Sequence, residues 1–363
     1  MHSVLNSKTS IMKKRYRIQY LDTAKGIGII LVVFCHVINI VSVHSELLHT
    51  CRDCVYSFHM PLFFIISGIL LSKHIYNLQI DSCLKESIKK KTSQLLVPYI
   101  KWSIIYILLL TLNFIYQKAS PTNMIMERGY ATITGRGIVP LWFLLALFEA
   151  ETCVILCFYA KRKKSFNHNL IMWLITFGLL SCLCSKLYQV IASVIMSPLV
   201  DYWIISLFRI PLSVFFVLIG VSFNSYLNKS QGVSAIVETS ILLLSLCLWF
   251  TLIIVSHNHV NMHLFRFDSI AYFMLTGITG SLVIILISKK LGPIQPICKI
   301  GKDSLIIMLL HYPPIPFITL VSLVTTGINE LYRVFIITIA VILIIEAITK
   351  MRQILMNQFF LHK

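Results

Sequence analysis

Long apolar runs alternate with short polar segments along the whole chain. Ten runs stand out, at residues 20–41, 55–72, 95–116, 138–159, 170–185, 203–223, 236–257, 270–288, 304–325 and 332–349. A helix needs about 20 apolar residues to cross about 30 Å of hydrocarbon, and most of these runs approach that length. They are continuous rather than alternating, which argues against a β-barrel. The expected fold is therefore all-α, a polytopic membrane protein with about ten transmembrane helices. Run 170–185 is short, so residues 186–200 either extend it or fold back as a re-entrant segment. The expected organisation is a basic N-terminal segment at 1–19, one membrane domain at 20–349 and a short tail at 350–363.

Composition strengthens this picture. Of 363 residues, 57% are apolar and 13% are charged, against about 25% charged in soluble domains. Mean hydropathy is +0.82. A soluble enzyme of this composition would expose large apolar patches, and disorder is excluded on the same ground. The formal net charge is +18, which raises the question of nucleic acid.

The positions of the charges answer it. With the N-terminus inside, 22 of the 32 Lys and Arg residues fall in inner segments, 7 in outer segments and 3 (Lys25, Lys101, Arg209) within runs. That asymmetry is the positive-inside bias of a membrane protein. It places both termini in the cytoplasm, and no nucleic-acid motif competes with it. The first run is not a cleavable signal, because Lys25 interrupts it and no small-x-small site follows.

Ionisable groups inside membrane helices are costly and mark function by default. Lys25 and His36 are eleven residues apart, which at about 100° per residue brings them within roughly 20° of one helix face and about 16 Å apart along the axis. Asp22, three residues before Lys25, is placed to pair with it. His59 opens the second span just before Pro61, with Phe63 and Ser67 on its face. His311 precedes Tyr312-Pro313-Pro314-Ile315-Pro316. Three prolines in four residues break a helix, and a break at membrane depth is tolerated only inside protein or beside a cavity. Glu149 and Arg209 are placed to pair with each other or with other helices. For each of these residues there is also a plain structural reading, as snorkelling, interfacial or helix-linking side chains.

Five segments resemble the membrane acyltransferase family 3 proteins. Arg17-x3-Leu21-Asp22-x2-Lys25-Gly26 followed by His36 resembles their first helix, and Phe58-His59-Met60-Pro61 through Ser67-Gly68 resembles the second. Leu95-Leu96-Val97-Pro98-Tyr99, Leu141-Trp142-Phe143-Leu144, and Ile300-Gly301-Lys302-Asp303-Ser304-Leu305 with Leu310-His311-Tyr312-Pro313 follow in family order. The resemblance implies transfer of an acyl group, usually acetyl, from cytoplasmic acyl-CoA to a hydroxyl on an extracytoplasmic sugar. The acceptor is expected to be a surface polysaccharide or a lipid-linked oligosaccharide (O-antigen, capsule or exopolysaccharide). It also implies a bacterial cytoplasmic membrane. The family commonly has Arg where Lys25 stands, and lysine there is usual in the branch resembling fucose and capsule O-acetylases. An Arg-x-x-Arg motif of the second cytoplasmic loop is absent, and Lys89, Lys90 and Lys91 stand in its place. After residue 349 only a basic tail follows, so acceptor acylation is expected in the membrane domain.

The expected site follows. Lys25, Lys89, Lys90 and Lys91 hold the phosphates of acetyl-CoA by charge, with Ser67 beside the acyl arm. His36 is the general base that deprotonates the acceptor hydroxyl. His311 or His59 orients the acceptor or polarises the carbonyl, Asp22 supports Lys25, and an acyl-imidazole or acyl-Ser67 relay is a variant. No metal is expected. Cys51 and Cys54 offer a local disulfide if their side is oxidising, and with His49 or His59 they make only an incomplete ligand set for a metal. His257, His259 and His263 fall in one outer loop and read as loop polarity. The rival function is a transporter or flippase for a glycan or small anion, which also uses midplane charges and broken helices.

Overall fold

The computed structural model describes residues 18–41, 43–75, 81–161, 166–194, 197–229, 235–256 and 259–361. Arg17, the remaining N-terminal basic residues, Arg162–Lys164 and His257 lie outside them. The chain is an all-α polytopic membrane protein. Among the described residues, nine helical segments are long and apolar enough to cross a membrane.

Helix α1 (Gln19–Ile40) follows the first run closely. Helices α2 (Glu46–Tyr56) and α3 (His59–Ile75) form the second crossing, and α4 (Asp81–Lys91) with α5 (Val97–Tyr116) the third. A short π-helical turn at Thr92–Leu96 joins α4 to α5. Surface helix α6 (Thr122–Ile133) leads to α7 (Trp142–Ala160). The short fifth run is in fact α8 (Phe166–Ala192), 27 residues long, because no breaker interrupts residues 186–192. The extension is realised, and the next helix, α9 (Pro198–Lys229), starts at a proline. Helix α10 (Ala235–Ser256) is joined to α11 (Ile270–Leu291) by a hairpin of β1 (Val260–Asn261) and β2 (Arg266–Phe267). Short helix α12 (Gln295–Lys302) precedes the ninth run. The ninth run itself is not one continuous helix but divides into α13 (Ser304–Leu310) and α14 (Phe317–Val324), broken at His311–Pro316 as the prolines require. Helix α15 (Glu330–Leu361) closes the bundle.

Helices α1, α3, α9 and α11 form the centre, and α5, α8 and α10 face outward. The outward helices expose Leu108, Leu112, Leu179, Leu244 and Ile254, where lipid rather than water is the solvent. Two close approaches fix the centre. A Cβ on Gly68 would meet the carbonyl oxygen of Val217, and one on Gly220 that of Ile65, so α3 and α9 pack backbone to backbone. Likewise a Cβ on Gly26 would meet the Ile297 carbonyl and one on Gly301 the Asp22 carbonyl, which seats α12 against α1. Small residues at such crossings are how membrane helices gain van der Waals contact without a hydrophobic driving force.

Candidate active site

Helix α1 positions the site because it carries Lys25 and His36 on one face. Both line a cavity of about 220 Å³ together with Met60, Phe63 and Ser67 from α3, Trp142 and Phe143 from α7, and Ser304 and Met308 from α13. The helical spacing therefore does what it promised. At the Lys25 end, the ammonium pairs with Asp22 at 2.9 Å, and Asp22 is buried. Asp22 is about 21 Å along the axis from His36, so it serves Lys25 and not the imidazole.

A second chamber of about 200 Å³ lies on the other side of His36. It is lined by Asn39, Tyr56, His59, Tyr312 and the hairpin residues Val260–His263, and it shares His36, Met60 and Trp142 with the first. His36 is thus in the wall between two cavities. His59 enters this second chamber, with its Nδ1 on the Val55 carbonyl at 2.9 Å. Asn39 donates to the Tyr56 hydroxyl at 2.7 Å.

His311 does not line either cavity. It is fully buried and backs His36, ring centroids 5.2 Å apart, while Tyr312 presents its ring edge-on to His36 at 4.8 Å. The His311 Nδ1 bonds the Ile307 carbonyl at 2.9 Å, and its Nε2 has no hydrogen-bond partner among the described residues. The proline break supplies this geometry, since it ends α13 beside α1. His36, His59 and His311 come together around one chamber wall.

The lysine cluster is only partly at the cavity. Lys91 forms an ion pair with Glu151 at 2.9 Å, and the Ser67 hydroxyl donates to the same carboxylate. Lys91 is therefore tied to the Lys25 cavity through Glu151 and Ser67. Lys89 is exposed and Lys90 half-buried on α4. Glu151 is the residue that sequence reading missed as a linker. It lies 84 residues from Ser67, and only its position in an apolar run signalled it.

Glu149 and Arg209 do not form an ion pair. Arg209, fully buried, donates to the carbonyls of Gly135 at 2.8 Å and His263 at 3.2 Å, and stacks on Trp142 at 4.7 Å. The guanidinium fork satisfies loop carbonyls that no helix bond reaches. His263 in turn stacks on Trp142 and bonds the Gly137 carbonyl at 3.2 Å. The expected loop histidine is therefore part of the chamber wall, inserted by the hairpin.

Cys51 and Cys54 are free thiols one turn apart in α2, so the local disulfide is not formed. Among the described residues, no group of three His, Cys, Asp or Glu residues is placed to hold a metal ion.

A model of acyltransferase family 3, described as an acyltransferase domain, matches residues 18–349. No curated protein and no solved structure matches the chain.

Proposed function

The chain belongs to acyltransferase family 3, and from that premise we propose that it is a membrane O-acetyltransferase. It moves an acetyl group from cytoplasmic acetyl-CoA to a hydroxyl of a cell-surface glycan or its lipid-linked precursor, in the branch resembling fucose, capsule and O-antigen O-acetylases. One observation carries the proposal: His36 stands in the wall shared by two cavities, one reaching Lys25 and the other reaching the opposite end of the bundle. A reaction between a donor on one side of a membrane and an acceptor on the other needs such a meeting point.

In this reading the Lys25 end faces the cytoplasm, which the basic bias supports, and the membrane is the cytoplasmic membrane of a bacterial cell. Lys25, positioned by Asp22, and the Lys89–Lys91 segment hold the donor phosphates there. Lys91 acts from behind the wall, since Glu151 already holds it. The acyl arm lies along the Lys25 cavity past Ser67 and brings the thioester to His36. The acceptor hydroxyl arrives in the His59 chamber, where His59 orients it. His36 removes the hydroxyl proton as the oxygen attacks the thioester carbon. The C–S bond then breaks, the ester forms, and the imidazolium returns its proton to the departing thiolate as free CoA. His311 and Tyr312 pack on the His36 ring and fix its direction. Bringing both reactants to one base is an orientation effect, which accounts for much of the acceleration such a site can give.

Membrane vesicles carrying the chain, supplied with labelled acetyl-CoA, should place base-labile acetyl on surface glycan. Matched vesicles without it should not. Unchanged glycan acetylation with altered glycan export would instead support the transporter reading.

A further inference from the structure

At the hairpin end of the bundle lies a third cavity, of about 580 Å³. That falls within the roughly 300–1,000 Å³ usual for ligand sites. Arg52, Asp53, Tyr188, His259, Arg266 and Asp268 line it, and the chemistry above uses none of them. It adjoins the His59 chamber, because Tyr56, Val260 and Asn261 line both. Strand β1 is therefore the partition between the two spaces.

Its charges balance. Arg52 is held by Asp53 through two contacts, at 2.8 and 2.9 Å. Asp268 accepts from the His259 backbone N–H at 2.7 Å and faces the His259 ring at 3.5 Å. Two arginines thus stand against two aspartates, which suits neither a polyanion nor a polycation. Paired groups of this kind keep spare donors and acceptors for hydroxyls. Behind them are the rings of Tyr188, Phe265 and Phe267, with Phe265 edge-on to both of the others. Polar groups of balanced charge beside aromatic rings suit a neutral, polyhydroxylated ligand. Arg52 also donates to the Asn39 carbonyl oxygen of the side chain at 3.3 Å, and Asn39 donates to Tyr56. One hydrogen-bonded chain therefore runs from this vestibule to the chamber beside His36.

We propose that this vestibule binds the neutral sugar units next to the one being acetylated, so that the acceptor is an oligosaccharide rather than a single sugar. This rests on the acyl-transfer reading above. The acceptor chain enters at Arg266 and Asp268, passes Tyr56 and the hairpin, and presents one hydroxyl to His36.

The test uses the full chain in lipid nanodiscs. The probes are saccharides released from the surface glycan of cells that carry it, stripped of esters with mild base and sized into single-sugar and longer pools. The longer pool should be acetylated with higher kcat/KM, and the ratio between pools should fall about tenfold in Arg266→Ala or Asp268→Asn, the scale of a lost hydrogen bond to a charged group. A ratio does not respond to a loss of folded protein. Equal rates for both pools, or an unchanged ratio in both variants, would overturn the proposal. Calorimetric binding of the longer pool to His36→Ala protein separates the two claims. Binding that weakens in Asp268→Asn without any transfer by the unaltered chain leaves the vestibule standing and removes the acyl-transfer reading. Transfer to single sugars with no binding preference does the reverse.

Discussion

Lys25 and His36 share a helix face and line one cavity, but the proposed function assigns them different tasks. If Lys25 holds donor phosphates and takes no part in bond making, Lys25→Ala should raise the KM for acetyl-CoA about tenfold or more while kcat changes little. Steady-state kinetics with labelled acetyl-CoA would check it, and a fall in kcat alone would contradict it. Ser67 discriminates between direct transfer and an acyl-serine relay. Its hydroxyl is bonded to Glu151, and direct transfer predicts that Ser67→Ala keeps transfer within about tenfold of the unaltered chain, since it loses at most a hydrogen bond. Complete loss, with acetyl trapped on the protein, would establish the relay. His263 carries a pH signature of its own. Its enclosure in the chamber wall, with the Arg209 and Arg136 charges adding to it, pushes its pKa down to about 3. An unfolded chain protonates histidine near pH 6.5. From about 6.5 down to about 3 the unfolded state therefore binds a proton that the folded state refuses, and stability is lost as pH falls. In His263→Gln the decline of Tm between about pH 6.5 and 5 should be shallower, and an unchanged slope would show that His263 does not contribute.

The contact of α3 with α9 rests on Gly68 and Gly220. Gly220→Ala puts a methyl into the Ile65 carbonyl, and overpacking of this kind costs about 1–3 kcal/mol. It should lower the Tm in detergent and reduce transfer, since α3 supplies His59 and Met60 to one cavity and Met60 and Ser67 to the other. An unaltered Tm would contradict the close approach. At this level much was legible beforehand. Apolar runs gave the helices because lipid demands continuous apolar length, and the prolines at 313, 314 and 316 announced the break beside His311. The length of α8 was less legible, because Lys186 reads as a boundary although a helix can pass through it. The β-hairpin was not legible at all. Its strands are two residues each, and its fit depends on Trp142, Gly135 and Arg209, far away in sequence. The tie from Lys91 through Glu151 to Ser67 was hidden for the same reason. Periodicity reports which residues share a face, not which faces meet.

The whole molecule has two ends of different chemistry. At the Lys25 end, lysines are paired with carboxylates (Lys25 with Asp22, Lys91 with Glu151, Lys289 with Glu238, Lys299 with Glu346). At the other end are the charge-balanced vestibule and the hairpin. Net charge first pointed at orientation, and the proposed function gives that orientation a use: the donor at the lysine-rich end, the acceptor at the vestibule, and His36 between them. The central claim is that His36 is the base at which the two meet. The most direct measurement is NMR of surface glycan from cells lacking the chain, cells carrying it, and cells carrying His36→Ala at equal membrane level. General-base catalysis contributes about 10²–10⁴-fold. Ester-linked acetyl should therefore be present only with the unaltered chain, and full acetylation in the His36→Ala cells would contradict the assignment.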